Sequence, residues 1–315
     1  MTHSADYLDP DVAYLLGMVM ARGSFHTDGD IRRLIIRFPY RLETMTTLPG
    51  SKLSFDRETE LRLSLEEVRR RINELLEVDV DVERLQHEVA LKAVFTKNTM
   101  SWRNLQLLCD HKTSYREFQV PAVIAGAPED IAKEFVRGVA DTCAEPSAAD
   151  VYMQREGRQR IVMQFQHDNW TLPIQVCYLL QARLGVKVQE ILWGHPNVRA
   201  PKGGSGWAKE HRLRIFAEEF LPIGFNFRFK QLLFEELAKW NLERAPGSVR
   251  LCNPKARTVR HRKPRHQDET SEKLPCAVRR HFNAAFRICL ALGCKQGKRS
   301  PQLTPIEEDE EELEE

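Results

Sequence analysis

Two stretches of the chain carry the reading of its fold: Tyr14-Leu-Leu-Gly-Met-Val-Met-Ala-Arg-Gly-Ser-Phe25 and Phe135-Val-Arg-Gly-Val-Ala-Asp-Thr-Cys-Ala144. Each is an apolar helical stretch with a glycine in its interior (Gly17, Gly138) and a small residue four positions on (Ala21, Thr142). Positions i and i+4 share a helix face, so each stretch presents a smooth stripe that a second backbone can approach closely. One such pattern marks an ordinary core contact. Two of them, about 120 residues apart and each heading the same series of elements, mark an internal repeat.

After the first stretch the sequence predicts a short strand over 24–27, a turn at Asp28-Gly29-Asp30 and a strand over 31–38 mixing β-branched and basic residues. An amphipathic helix follows over 64–76, with Ser64 and Glu67 as a capping box. Strands over 79–85 and 89–95 and a helix over 101–108 close the unit. The second half repeats the order: a glycine-bearing helix over 131–142, a basic strand over 158–165, and an amphipathic helix from Asn169 or Trp170 to Leu184. Strands over 186–193 and 211–216 and a short helix near 217–221 complete it. Pro121, Gly126 and Pro128 break the pattern and place the joint near 119–128.

At 315 residues the chain has room for one large or two ordinary domains and can bury a core without disulfides or metals. No apolar run reaches the length of a membrane span, and the first residues lack the basic-then-apolar pattern of a signal peptide. Seven cysteines, an odd number, fit a reduced, intracellular setting better than a disulfide framework. The net charge of +2 conceals an asymmetry. Eight acidic residues lie between Glu307 and Glu315, whereas residues 250–299 hold 14 Lys/Arg against Asp268, Glu269 and Glu272. A basic block of this kind points to a polyanion or forms a solvated surface stretch.

The repeat resembles the LAGLIDADG homing-endonuclease fold in its single-chain, two-repeat form, over roughly residues 10–225. The resemblance implies an α+β fold of two pseudo-symmetric αββαββα repeats, with the glycine-bearing helices paired along a pseudo-twofold axis. Two antiparallel sheets would form a saddle over duplex DNA, followed by a basic, mainly helical C-terminal region. The implied units are 1–118 and 119–226 for the repeats, 227–300 for the basic Cys/His-containing region, and 301–315 for a disordered acidic tail. Alternate strand residues would face the duplex. Arg33, Arg37 and Arg41, or their neighbours Arg32 and Tyr40, are the candidates in the first half, and Arg158, Arg160, Gln164 and Gln166 in the second. Arginine and glutamine suit base edges, and arginine also pairs with phosphates. The alternative is that these are ordinary solvated strand residues.

The signature departs from the family where chemistry would occur. The family places an acidic residue before the final glycine of each signature, and those carboxylates hold divalent metal ions. Arg22 and Cys143 stand there in this chain, and neither suits magnesium. Arg22 adds positive charge beside the place of the scissile phosphates. Asp141 matches an earlier acidic position and Glu145 lies two residues past Cys143; these are the catalytic candidates if the chain cleaves.

Beyond the repeats, a helix is predicted over 227–242, a hinge at 244–247, a basic arm over 252–266 and a further helix over 274–292. Arg257, Arg260, Arg262 and Lys263 of the arm would lie along phosphates. Cys252, His266, Cys289 and Cys294 could hold a structural zinc ion, although no Cys-x-x-Cys pair is present, and buried or free thiols are the alternative. A fresh nuclease centre from the histidine-rich arm with Asp268 and Glu269 is a further option. The acidic tail would compete with DNA for that arm. The expected function is sequence-specific binding of double-stranded DNA without metal-dependent cleavage, by a monomer inside the cell, in the cytoplasm or on the nucleoid. Its alternatives are a Mg-dependent homing or restriction-type endonuclease with relocated carboxylates, and an RNA-binding or splicing cofactor.

Overall fold

The computed structural model describes residues 8–38, 47–48, 50–85, 88–147, 158–196, 209–243 and 295–296. The first repeat runs α1 (Pro10–Arg22), β1 (Gly23–Asp28), β2 (Ile31–Phe38), α2 (Arg57–Leu76), β3 (Val80–Arg84), β4 (Val89–Thr96) and α3 (Met100–Leu108). After a single turn, α4 (Ala122–Ala125), the second repeat runs α5 (Glu129–Cys143), β5 (Ala144–Ser147), β6 (Arg160–Gln166), α6 (Thr171–Tyr178), β7 (Val188–Pro196) and β8 (Lys209–Phe216). A 3-10 turn (Ala217–Phe220) takes the place of the third helix, and α7 (Arg228–Glu243) follows. The fold is therefore α+β, with αββαββα order written twice, as the resemblance implies.

The pair α1 and α5 forms the centre. Both are buried along most of their length. Gly17 lies against Phe135 and Val139, and Gly138 against Tyr14 and Met18. These contacts are reciprocal under one offset of 121 positions, which is the signature of a twofold axis between the helices. A Cβ on Gly17 would overlap the Phe135 carbonyl oxygen and stand 2.9 Å from the Val139 nitrogen. The absence of a Cβ is what lets the backbones meet.

Each repeat builds one antiparallel sheet, with strand orders β1-β2-β4-β3 and β5-β6-β8-β7. A two-residue strand, β9 (Lys295–Gln296), adds in parallel to β7 at Glu190 and Ile191. Leu34, Ile36 and Phe38 of β2 and Ile161, Met163 and Phe165 of β6 turn inward onto the helices and are buried. α7 and Phe227 just before it span both halves. Phe227 lies 5.8 Å from Phe38 and Phe229 lies 6.4 Å from Phe55, between ring centres, while Ser51 donates to Glu236 at 2.8 Å.

Three elements differ from the sequence expectation. α2 begins at Arg57, because Asp56 caps it by accepting from the Thr59 amide at 3.1 Å, and Leu61 extends the buried stripe one turn upstream. Ser64 is consequently a buried mid-helix residue and not a cap. The helix expected to reach Leu184 is α6 plus a π-type turn over Leu179–Arg183, and the Asn169 side chain accepts from the Leu172 amide at its start. The expected strand at 186–193 shifts to Val188–Pro196. The basic arm at 252–266 and the helix at 274–292 lie outside the described residues. Among the described residues no helix is long and apolar enough to cross a membrane.

Candidate nucleic-acid interface

Residues paired across antiparallel strands share a sheet face, so the register assigns every outward side chain. In the first sheet, Ser24 pairs with Ile35, His26 with Arg33, Arg37 with Ala90, Ile35 with Lys92 and Arg33 with Val94. All of these face away from the helices. Arg33 and Arg37 thus stand where the alternation expected them. Arg32 has the opposite parity, sharing the face of Leu34, and its guanidinium donates to the Gly29 carbonyl at 2.6 Å and the Ile31 carbonyl at 3.2 Å. Arg41 and Tyr40 lie outside the described residues. Lys92, His26, Ser24 and Thr96 join the face although the sequence reading did not single them out. The alternation Ala90, Lys92, Val94, Thr96 within a recognised strand was the available signal.

The charged members of this face are paired to their flanks. Arg33 lies 3.6 Å from Asp28 and Lys92 lies 3.8 Å from Glu83, and Arg37 pairs with Glu88. Pairs as exposed as these are worth at most about 1 kcal/mol each, so a phosphate or base edge can displace the carboxylate.

In the second sheet Arg160, Gln164 and Gln166 of β6 share the outward face with Glu145 of β5 and with Glu210, Arg212 and Arg214 of β8. The structure withdraws part of this face from solvent: Arg160, Gln164, Glu145 and Glu210 are buried, and Gln166, Arg212 and Arg214 are part-buried. Arg212 pairs with Glu210, and Arg214 with Glu190 at 2.6 Å. Arg158 precedes β6, pairs with Glu218, and lays its guanidinium 3.6 Å from the Phe216 ring centre.

Where the two central helices end, α1 closes on Arg22 and α5 on Cys143, the same 121-position offset apart. Arg22 is part-buried, lies 5.8 Å from the Tyr115 ring centre, and reaches toward the Gln164 carbonyl at 3.4 Å. It therefore touches the second sheet from the first repeat. Glu145 accepts from Gln164 Nε2 at 3.1 Å.

Asp141 is fully buried and faces α7. It accepts from the Tyr14 hydroxyl at 2.8 Å and from the amides of Asn226 and Phe227 at 3.0 and 3.2 Å, just before α7 begins. The Lys230 ammonium donates to the carbonyls of Asp141 and Ala144 at 2.8 and 2.9 Å, at the negative end of the α5 dipole. Burial raises the Asp141 carboxyl to about 6 against the opposing pull of Lys230, and burial with the neighbouring carboxylate raises Tyr14 well above its ordinary value. Met20 stands at the related position of α1.

Hard divalent cations require several oxygen ligands. Arg22 supplies none, Cys143 supplies sulfur, and the Asp141 carboxylate is committed to α7. Glu145 alone is one carboxylate, and among the described residues no group of three or more His, Cys, Asp or Glu side chains is placed to hold a metal ion. The residues present do not fit the paired-metal site that the resemblance implies. Arg257, Arg260, Arg262 and Lys263, and the zinc candidates Cys252, His266, Cys289 and Cys294, lie outside the described residues.

No protein-family model matches the chain, and no curated protein matches it. Among solved structures it is similar to full-length DUF199/WhiA from Thermatoga maritima, at a TM-score of 0.39 and 11% identity over 76% of this chain. The chain spans 64% of the length of that protein. It is similar to a variant of the homing endonuclease I-DmoI in complex with its target DNA, at a TM-score of 0.38 and 12% identity over 69% of this chain and 92% of the other. The homing endonuclease I-WcaI bound to its DNA recognition sequence gives a TM-score of 0.36 and 10% identity over 69% of this chain and 83% of the other. Each of these likenesses is distant.

Proposed function

We propose that the chain is a sequence-specific, double-stranded DNA-binding protein of the LAGLIDADG type that acts as a monomer and does not cleave its target through metal ions. The observation that supports this most is the outward face of the first sheet. Its two central strands turn Arg33, Arg37 and Lys92 outward, with no outward carboxylate on either strand. Arginine and lysine at two-residue spacing on a strand can pair with guanine edges in the major groove or with phosphates.

Loss of cleavage is supported by Arg22 and Cys143 at the two helix ends and by the commitment of Asp141 to α7. Glu145 keeps the endonuclease reading testable, since it shares the outward face next to Gln164. Incubating the full chain with supercoiled plasmid and Mg²⁺ tests both parts. The proposal expects retarded but unbroken DNA. Mg-dependent nicking that disappears in Glu145→Gln would replace it with the endonuclease reading. Preference for structured RNA over duplex at equal salt would replace it with RNA binding.

A further inference from the structure

The two sheets share one architecture but present their outward faces differently. On the first sheet Arg33 and Arg37 side chains are 32% and 38% exposed, and Ile31 and Val94 beside Arg33 are 44% and 37% exposed. On the second sheet Arg160 is 4%, Gln164 6%, Glu145 5% and Glu210 6% exposed. All four point outward by register. Arg160 opens β6, a central strand of the sheet, and at 4% exposure it has no free path to a phosphate or a base edge, whatever its charge. The chain leaves α7 at Glu243 and returns to this sheet at Lys295–Gln296, paired in parallel on β7. Among the described residues the first sheet has four strands.

We propose that duplex DNA docks on the outward face of the first sheet alone, so that the protein recognises a half-site and the second sheet does not read bases. This rests on the DNA-binding reading above. The charge layout of the first sheet supports a duplex as the occupant. Cations line the central strands β2 and β4, while the carboxylates Asp28, Asp81 and Glu83 are confined to the flanking strands. A strand of eight residues such as β2 spans about 26 Å at ~3.3 Å per residue. At 3.4 Å per base pair that length follows about 8 base pairs.

Phenylglyoxal modification of the full chain, read by peptide mass spectrometry with and without a random-sequence duplex pool, tests this. Arg33 and Arg37 should react several-fold faster than Arg160 and become protected when duplex is added. Arg33→Ala should weaken retention of the pool by roughly tenfold, and Arg214→Ala should leave it unchanged. Arg160 reacting as fast as Arg33, or gaining equal protection from duplex, overturns the one-sided arrangement while leaving DNA binding intact. A wild-type chain that retains no duplex, with the same arginine reactivities, overturns the DNA-binding reading and this inference with it.

Discussion

Gly17 and Gly138 occupy positions where any side chain would enter the backbone of the partner helix. A Cβ on Gly138 would overlap the Tyr14 carbonyl oxygen and stand 3.2 Å from the Met18 nitrogen. Backbone cannot rotate away as a side-chain tip can, so Gly138→Ala should cost at least about 3 kcal/mol by urea denaturation. Gly126→Ala, where nothing lies within 4 Å, should change stability by under about 0.5 kcal/mol.

Asp141 gives a pH signature of definite sign. Its carboxyl is raised from 3.8 to about 6 in the fold, chiefly by burial, so the folded chain holds that proton more tightly than the unfolded one. The group's contribution is fully present below pH 3.8 and is lost as pH rises through about 6. His211, lowered from 6.5 to about 3 by burial, has the opposite sign: its contribution is present above pH 6.5 and is lost as pH falls toward 3. Stability measured from pH 4 to 7 should therefore carry two opposed slopes, and Asp141→Asn should remove only the first. The small-residue stripes were legible in the sequence because their period is local. The role of Asp141 was not, because its partners Asn226, Phe227 and Lys230 lie some 85 to 89 positions away.

Among elements, α7 adds to the join that α1 and α5 make between the halves. Lys230 is buried against carbonyls at the end of α5, and Phe229 packs on Phe55 of the first repeat. Phe229→Ala should cost about 3 to 5 kcal/mol in the same denaturation measurement. The strand pair β2 and β4 makes a prediction about DNA. Ile31, Ile35 and Val94 stand outward among the cations, and apolar side chains in the major groove contact the thymine methyl. A duplex with deoxyuridine in place of thymidine should therefore bind several-fold more weakly in a competition assay; equal affinity would remove these residues from base reading. Element order was legible because the switch between alternating and helical periods appears in the residues themselves. The start of α2 was misplaced because Ser64 and Glu67 mimic a capping box inside a helix that Asp56 already begins. β9 left no local signal, since a two-residue strand is defined only by its partner on β7.

At the scale of the molecule, charge and shape are divided between parts. The outward cations of the sheets are largely matched by flanking carboxylates, whereas residues 250–299 carry 14 basic against 3 acidic side chains. On the proposed function, long-range attraction to phosphates would reside mainly in the C-terminal sequence, and discrimination in the first sheet. Replacing Arg257, Arg260, Arg262 and Lys263 with glutamine should lower the slope of log affinity against log salt by about 3 to 4. An unchanged slope would remove that segment from DNA contact. The pseudo-twofold layout was visible in the repeated sequence, but the closure of the second sheet was not, because burial of Arg160 and Gln164 depends on packing that no strand pattern encodes.

The most direct test of the account is recovery of random duplex DNA by the full chain in the presence of Mg²⁺, with sequencing of the recovered fragments and their ends. The account predicts one enriched motif with intact ends. Fragments without an enriched motif, or ends clustered at a fixed place inside it, would contradict it.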